Sequence, residues 1–254
     1  MDVLKRTLVE KAGHDSGFEY TVSETPESLT LGSARHPLQV EIALANGNYL
    51  LLFSNAKQQL LNELKRDFLV QNREILTESL QGMAVVFKRA AALAHSLPNQ
   101  AENDFASVLK TELNKFPDNI KNTEVERIIR QRVGQDVYRK AMLEYWGGAC
   151  AVTGVTLSEV LRASHALPWS KCESDSQRLD IYNGLLLNAN LDALFDRYLI
   201  SFDKNGHLLI SDKISNKNFE LLGLNENMKL RWITVEHEIY LSEHRKLMHL
   251  KSSV

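Results

Sequence analysis

The fold of the second half of the chain is decided by three segments: ASHALPW at residues 163–169, YNGLLL at residues 182–187 and LDALFDR at residues 191–197. The first two contain short apolar runs bounded by Pro or Gly, which is typical of short strands. The third has apolar residues at the spacing of a helical turn. Together they predict two short strands followed by a helix.

A histidine and an asparagine stand at the ends of the predicted strands. His165 closes the first run ahead of Pro168, so its ring can be held rigidly while one nitrogen faces a cleft. Its ordinary pKa of about 6.5 suits a general base at neutral pH. Asn183 precedes Gly184 at a turn, where an amide can fix a loop or a neighbouring imidazole. Ordinary structural roles are also open to both residues, as a satisfied core or surface histidine and as a turn asparagine.

Two carboxylates lie on the predicted helix. Asp192 and Asp196 are four residues apart, so they share one helix face. Carboxylate oxygens favour a hard cation such as Mg²⁺ over zinc. Asp196 has an alternative, because it can cap the helix or pair with Arg197. The sequence alone leaves both interpretations open.

With CAVTG at residues 150–154, these segments resemble the HNH endonucleases. The lead-in QRVGQDVYR at residues 131–139 and the late LSEHR at residues 241–245 are similar to a narrower branch, the catalytic domains of restriction and phage-defence nucleases. The resemblance covers about residues 123–250. It depends on several motifs in the same order and not on any single one.

The resemblance implies a ββα-metal fold, in which a hairpin packs on a helix around one divalent ion. It implies that His165 is the general base that activates water and that Asn183 orients the loop of that base. Asp192 stands nine residues after Asn183, where the family usually has its last His or Asn, so it is carried over as a metal ligand. Asp196 is the second candidate ligand. Ser164 occupies the place where many relatives have a metal-binding Asp.

The metal implied is Mg²⁺, or alternatively Mn²⁺, because the motif reads H-N-D with carboxylate ligands. Many relatives carry zinc clamps of paired Cys-x-x-Cys. No structural zinc is expected here, since Cys150 is followed three residues later by Thr153 and the chain has only two cysteines. The same cysteine count excludes a secreted disulfide scaffold.

The function implied is a metal-dependent endonuclease that hydrolyses double-stranded DNA, by nicking or double-strand cleavage, in restriction or anti-phage defence. Its products would carry 5′-phosphate and 3′-hydroxyl ends. The expected partners are DNA, a second copy of the chain or other defence-system proteins. Two alternatives stay open: a housekeeping RNase, and a catalytically degraded HNH fold that acts as a DNA-binding or interaction module. The departures at Ser164 and Asp192 favour the second of these.

A helix predicted over residues 123–145 offers a surface for DNA. Residues 121–140 carry six cationic against three acidic side chains, although the whole chain has a net charge of −2. One stripe of this helix is basic and amide-bearing: Arg127, Gln131, Gln135 and Arg139. The stripe predicted to be buried is Val125, Ile129, Val133 and Val137. The first stripe is a candidate phosphate track or, alternatively, a solvated face. Arg197 is a further candidate contact to the scissile phosphate.

The first half of the chain has a different pattern. Alternating residues and an Asn-Gly turn at residues 46–47 predict a small antiparallel sheet with strands at 18–22, 28–31, 39–44 and 49–53. Helical spacing follows at residues 56–70, 73–94 and 101–115. We therefore predict an α+β protein with two domains, residues 1–120 and residues 121–254. The candidate roles of the first domain are DNA recognition, partner docking and bracing of the nuclease.

Composition sets outer limits. With 44% hydrophobic and 24% charged residues, the chain has globular composition and not that of a disordered or collagen-like protein. The sequence contains no signal-peptide core and no apolar stretch long enough to span a bilayer, which predicts a cytoplasmic protein without membrane partners. It contains no Gly-rich phosphate loop, so ATP use is not expected.

Overall fold

The computed structural model describes residues 1–97, 100–116 and 124–248. Packing divides the chain into two compact units, Met1–Gln100 and Ala101–Val254. Both contain helices and antiparallel strands, so the predicted α+β class is confirmed. The division at residue 100 precedes the domain boundary predicted near residue 120, which lies outside the described residues. Of the helices in the described ranges, none has both the length and the hydrophobicity needed to cross a membrane.

The first unit is built on a five-stranded antiparallel sheet whose strands follow chain order. The strands are β1 (Tyr20–Glu24), β2 (Ser28–Gly32), β3 (Gln39–Ala45), β4 (Asn48–Ser54) and β5 (Glu74–Thr77). The predicted Asn-Gly turn is confirmed, because Asn46 and Gly47 have φ angles of 52° and 84° between β3 and β4. Two positive φ angles are what a two-residue hairpin between right-twisted strands requires.

Three helices complete the first unit: α1 (Val3–His14), α2 (Gln58–Asp67) and α3 (Leu80–Ser96). The single helix predicted over residues 73–94 is wrong at its start, because β5 pairs with β4 there. Ile75 is buried and Leu76 is exposed, so strand pairing and burial on one face override the helical spacing. Ser79 then begins α3 by accepting a backbone hydrogen bond in the first turn.

In its described residues, the second unit combines six helices with two antiparallel ribbons. Its helices are α4 (Gln100–Leu113, starting at the division), α5 (Glu124–Tyr145), α6 (Asp175–Arg178), α7 (Ala189–Phe195), α8 (Asn216–Leu221) and α9 (Val235–Lys246). Its strands are β6 (Leu161–His165), β7 (Gly184–Asn188), β8 (Ile200–Phe202) and β9 (Leu208–Ile210). β6 pairs with β7, and α5 and α7 both pack against this ribbon. The two strands and helix predicted from the three opening segments are thus confirmed.

The buried face of α5 agrees with the predicted stripe at Val133 but not at the start of the helix. Val125 is 45% exposed, whereas the residues that α5 buries are Val133, Gly134, Tyr138, Ala141, Met142 and Tyr145. This face turns inward because Gly134 lets the Trp169 indole lie against the helix. A Cβ on Gly134 would lie 2.2 Å from that ring. This buried side of α5 packs against the β6–β7 ribbon.

Candidate active site

The residues predicted to form the site lie along the β6–β7 ribbon and the helix that follows it. His165, the last residue of β6, pairs with Gly184, the first residue of β7. α7 begins directly after β7 and packs back along the ribbon. There the Ser164 hydroxyl donates to the Asp192 carboxylate, with 2.6 Å between Oγ and Oδ1. The Asp192 carboxylate therefore contacts the residue next to His165 near the end of β6.

Neighbouring strand residues point to opposite faces, and this sets the directions of the two groups. Ser164 faces α7, where it contacts Asp192. His165 faces α5, where its ring stacks on Tyr138 with 3.9 Å between ring centroids. The imidazole and the Asp192 carboxylate thus lie on opposite faces of β6, both near its end.

The His165 ring has one nitrogen committed and one available. Its Nε2 lies 2.8 Å from the Arg178 carbonyl oxygen. Because a carbonyl only accepts, Nε2 carries the hydrogen and Nδ1 keeps its lone pair. Within the part of the chain that the structure describes, Nδ1 has no hydrogen-bond partner. Burial lowers the pKa of His165 below its usual value, so the ring is neutral at pH 7 and can accept a proton.

Asn183 is fully buried and binds the loop that joins β6 to β7. Its Oδ1 accepts from the Leu167 amide at 2.8 Å, and its Nδ2 donates to the carbonyl oxygens of Leu167 at 3.3 Å and Gln177 at 3.0 Å. Its own carbonyl accepts from the Ala166 amide at 3.1 Å. The amide therefore ties down the residues directly after His165, which is one of the two arrangements the sequence left open.

Arg178, which the sequence did not single out, fixes the carbonyl that His165 contacts. Its guanidinium donates to the carbonyl oxygens of Trp169 and Cys172 and to the Asp175 carboxylate. Asp175 is also held from α5, with 2.6 Å between its Oδ2 and Nη1 of Arg130. The acceptor that sets the tautomer of the imidazole is thus anchored by the side chain of its own residue.

The two carboxylates of α7 influence one another. Partial desolvation of the carboxylate and the neighbouring Asp192 charge raise the pKa of Asp196 to about 6. The residue as a whole is exposed to solvent. Arg197 opposes the shift but donates to the Ala193 carbonyl at 3.1 Å and forms no ion pair with Asp196. The cap that the sequence left open is present, because Asp196 is the residue at which α7 ends. Two carboxylates therefore lie close together without a paired cation.

The donor set fits a hard divalent cation. Among the described residues, no group of three or more His, Cys, Asp and Glu side chains is arranged to hold a metal ion. Mg²⁺, however, is commonly held by one or two carboxylates, while water and substrate phosphates complete its octahedron. Asp192 and Asp196 supply two such carboxylates, whose mutual repulsion a divalent cation relieves. The oxygen donors suit Mg²⁺ or Mn²⁺ better than zinc.

A comparison with known families finds a match over part of the second unit. Residues 150–203 match the HNH endonuclease family model. This HNH segment, about a fifth of the chain, includes β6, β7, α7 and β8 and carries His165, Asn183, Asp192 and Asp196. It points to nuclease activity, for which HNH proteins generally use a divalent metal. No curated protein matches the chain.

The residues predicted to contact DNA lie mostly outside the HNH segment. On α5, Gln131 and Gln135 are exposed, and Arg127 is 75% exposed and pairs with Glu124. Arg139 instead donates to the carbonyl oxygens of Leu161 at 2.7 Å and Ser158 at 3.0 Å, just ahead of and within β6. Arg197 is exposed at the end of α7. Three members of the α5 stripe therefore face solvent, while Arg139 is committed to holding the start of β6.

His244 is a buried structural position next to the candidate site that sequence reasoning missed, because no role was found for LSEHR beyond resemblance. Its ring is 1% exposed and stacks parallel on Phe195. Nε2 donates to the Phe195 carbonyl at 3.0 Å, and Nδ1 accepts from the Ser201 hydroxyl at 3.0 Å. It thereby fixes the last turn of α7, next to Asp196. The three-residue spacing to Leu241, which is also buried, is the signal that could have located it.

We expect acid to destabilise the protein through His244. Burial lowers the pKa of His244 to about 4, against about 6.5 in the unfolded chain. The unfolded state therefore binds the proton first, and stability is lost as the pH falls from about 6.5 towards 4. At pH 5 this group alone lowers the free energy of unfolding by about 2 kcal/mol relative to pH 7. Urea denaturation of the wild type and of His244→Gln at both pH values measures the difference. Equal pH dependence in the two proteins contradicts the assignment.

Proposed function

We propose that the chain is a metal-dependent DNA endonuclease that hydrolyses phosphodiester bonds. The observation that carries the proposal is the neutral His165 ring, whose Nδ1 has no partner among the described residues. It stands at the end of β6 in a segment that matches the HNH endonuclease family, with the Asp192 carboxylate on the opposite face of β6 near the same end. In our proposal, the scissile phosphate binds at this end of the ribbon.

In the proposed reaction, Nδ1 of His165 takes a proton from water. Nε2–H donates to the Arg178 carbonyl throughout, which keeps the ring in place as it becomes charged. Asn183 keeps the following loop fixed by its hydrogen bonds to Leu167. The hydroxide forms a bond to phosphorus as the bond to the 3′ oxygen breaks, and that oxygen takes a proton from water, which leaves 5′-phosphate and 3′-hydroxyl ends. Release of the proton from His165 to solvent restores the base.

Asp192 and Asp196 are the residues that would hold the divalent ion, Mg²⁺ in our proposal and Mn²⁺ as the alternative. Such an ion, when bound, stabilises negative charge on the phosphoryl and leaving oxygens. The Ser164 hydroxyl orients Asp192, so it supports a ligand without being one in this proposal. The Asp192 charge contributes to the raised pKa of Asp196, about 6. A divalent cation bound by both carboxylates would offset this repulsion and displace the proton of Asp196.

We propose double-stranded DNA as the substrate and restriction or anti-phage defence in the cytoplasm as the setting. The support is the HNH match together with the similarity of residues 131–139 and 241–245 to the restriction and phage-defence branch. One site per chain cuts one strand, so a double-strand break requires a second copy or two successive nicks. The first unit then recognises DNA or docks a defence partner.

The test is incubation of supercoiled plasmid with the full chain in Mg²⁺, Mn²⁺, Zn²⁺ or EDTA, with a structured RNA in parallel. We expect open-circular DNA in Mg²⁺ or Mn²⁺ and none in EDTA. We also expect Asp192→Asn and Asp196→Asn to require more metal for half-maximal rate. Intact plasmid under every divalent ion, with DNA still bound, favours the degraded HNH fold. Preferential RNA cleavage favours the RNase alternative.

Arg127 and Arg139 make a matched pair for testing the phosphate track. We expect Arg127→Gln to weaken DNA binding and to reduce the slope of log K against log salt by about one, because one phosphate contact is lost. The free energy of unfolding should not change, since its partner Glu124 is exposed as well. Fluorescence anisotropy over a salt series measures both quantities.

Arg139→Gln should behave differently, because its guanidinium holds two backbone carbonyls. We expect it to lower the free energy of unfolding by about 1.5–3 kcal/mol, the range for hydrogen bonds to charged groups. Arg127→Gln with an unchanged salt slope counts against the α5 stripe as a DNA surface.

A further inference from the structure

We infer that Tyr138 of α5, which lies outside the HNH segment, is a positioning residue that holds the His165 imidazole in the orientation of a base. The cleavage test of this inference rests on the proposed function, whereas the NMR and amide-exchange tests do not. It deepens that function by assigning to α5 a part in the active site. Residues 150–203 alone lack the surface on which their own histidine is supported.

The Tyr138 ring covers one face of the imidazole. The two rings are nearly parallel, at 20°, with 3.9 Å between their centroids. The Trp169 ring meets the imidazole edge-on, with 5.9 Å between centroids, and the Arg178 carbonyl accepts from Nε2. These contacts at one face, one edge and one nitrogen oppose rotation about the Cβ–Cγ bond, which would carry Nε2 away from the Arg178 carbonyl. Nδ1 is thereby kept as the unprotonated nitrogen.

The Tyr138 hydroxyl secures the backbone beside the ring. It donates to the Asn183 carbonyl at 3.0 Å, and the same carbonyl accepts from the Ala166 amide at 3.1 Å. Tyr138 is 1% exposed, and burial raises the pKa of its hydroxyl well above 10, so it stays a donor at any working pH. One side chain thus holds both the imidazole and the turn that follows it.

Gly184 makes this close approach feasible. A Cβ at Gly184 would lie 2.3 Å from the Tyr138 hydroxyl oxygen and 2.0 Å from the Ser164 carbonyl oxygen. Only a residue without a side chain therefore lets the tyrosine lie over the pair formed by His165 and Gly184. A residue that merely filled the core would need neither the parallel stack nor the hydroxyl bond.

Two variants separate the stack from the hydroxyl bond. Tyr138→Met fills the volume without a flat ring, whereas Tyr138→Phe keeps the ring and removes the donor. In ¹⁵N NMR spectra of the imidazoles, we expect wild-type and Tyr138→Phe protein to show His165 as a single tautomer protonated at Nε2. In Tyr138→Met we expect averaged nitrogen shifts. His207, exposed in the β8–β9 turn, is the control ring and should not change in either variant.

Backbone exchange tests the hydroxyl. Loss of the bond to Asn183 in Tyr138→Phe should speed amide exchange at Ala166 about fivefold, the effect of one hydrogen bond of about 1 kcal/mol. If Tyr138→Met does not fold, this exchange rate alone decides. Unchanged exchange overturns the inference in that case.

Cleavage gives the third readout. We expect Tyr138→Met to lower kcat about 10–100-fold with little change in KM, and Tyr138→Phe, which keeps the ring but loses the hydroxyl bond, to lower kcat by a smaller factor. A folded Tyr138→Met protein that keeps one His165 tautomer overturns the inference. If the wild type cleaves nothing, the proposed function fails, whereas the tautomer and exchange results still decide the role of Tyr138.

Discussion

Replacing His165 with alanine lowers the rate of plasmid cleavage in Mg²⁺ by about 10²–10⁴-fold, the usual contribution of a general base. The loss arises because Nδ1 is the proton acceptor in the proposed reaction, and no other described side chain has been placed to replace it. DNA binding should persist, since the ring is half-buried and adds no charge at neutral pH. Initial rates with saturating DNA measure the effect.

The His165→Ala variant needs a matched histidine control. His207→Ala removes an exposed imidazole from the β8–β9 turn and should cut at the wild-type rate. The free energy of unfolding of His165→Ala should fall by about 1–3 kcal/mol, since one hydrogen bond and the stack on Tyr138 are lost. Cleavage by folded His165→Ala at more than a tenth of the wild-type rate is incompatible with the proposed base.

Replacing Asn183 with alanine should both destabilise the second unit and reduce cleavage. Three side-chain bonds to backbone groups of the β6–β7 loop disappear from a fully buried position. We expect a loss of about 2–4 kcal/mol in the free energy of unfolding, because the buried partners are left unsatisfied. Release of Leu167 frees the turn after His165, so cleavage should fall about 100-fold.

Asn190→Ala is the matched control for Asn183→Ala. The Asn190 amide makes one bond in an exposed setting, to the Leu222 carbonyl at 2.9 Å. We expect it to cost less than about 1 kcal/mol and to leave cleavage unchanged. Urea denaturation and initial cleavage rates compare the two variants. Equal stability of Asn183→Ala and wild type is the outcome that contradicts the loop-fixing role.

Short-range patterns predicted much of the fold. Asn46 and Gly47 supply the positive φ angles of a two-residue turn, so the β3–β4 hairpin follows from local chemistry. The β6–β7–α7 order could likewise be predicted from apolar runs and their punctuation. β5 could not be predicted, because Glu74–Thr77 are compatible with both the helical and the strand periodicity. Pairing with β4 decides between the two.

The candidate site was predictable in its residues but not in its supports. Motif spacing indicated His165 and Asn183, and they meet at one end of the ribbon. Tyr138 was missed because α5 has two overlapping apolar stripes, and the one that is buried depends on Trp169 lying against Gly134. His244 was missed because the charged residues around it outweigh the one local sign of burial, its three-residue spacing from Leu241. Such supports arise from tertiary packing, which single-sequence periodicity does not encode.

The most direct test of the account is single-turnover DNA cleavage in ¹⁸O-labelled water with Mg²⁺, followed by mass analysis of the product ends. The account predicts one ¹⁸O atom on the 5′-phosphate, with an unlabelled 3′-hydroxyl, because water activated by His165 attacks phosphorus. It also predicts that His165→Ala forms this product at least about 100 times more slowly. Unlabelled 5′-phosphate, label on a 3′-phosphate, or equal rates for the two proteins would contradict it.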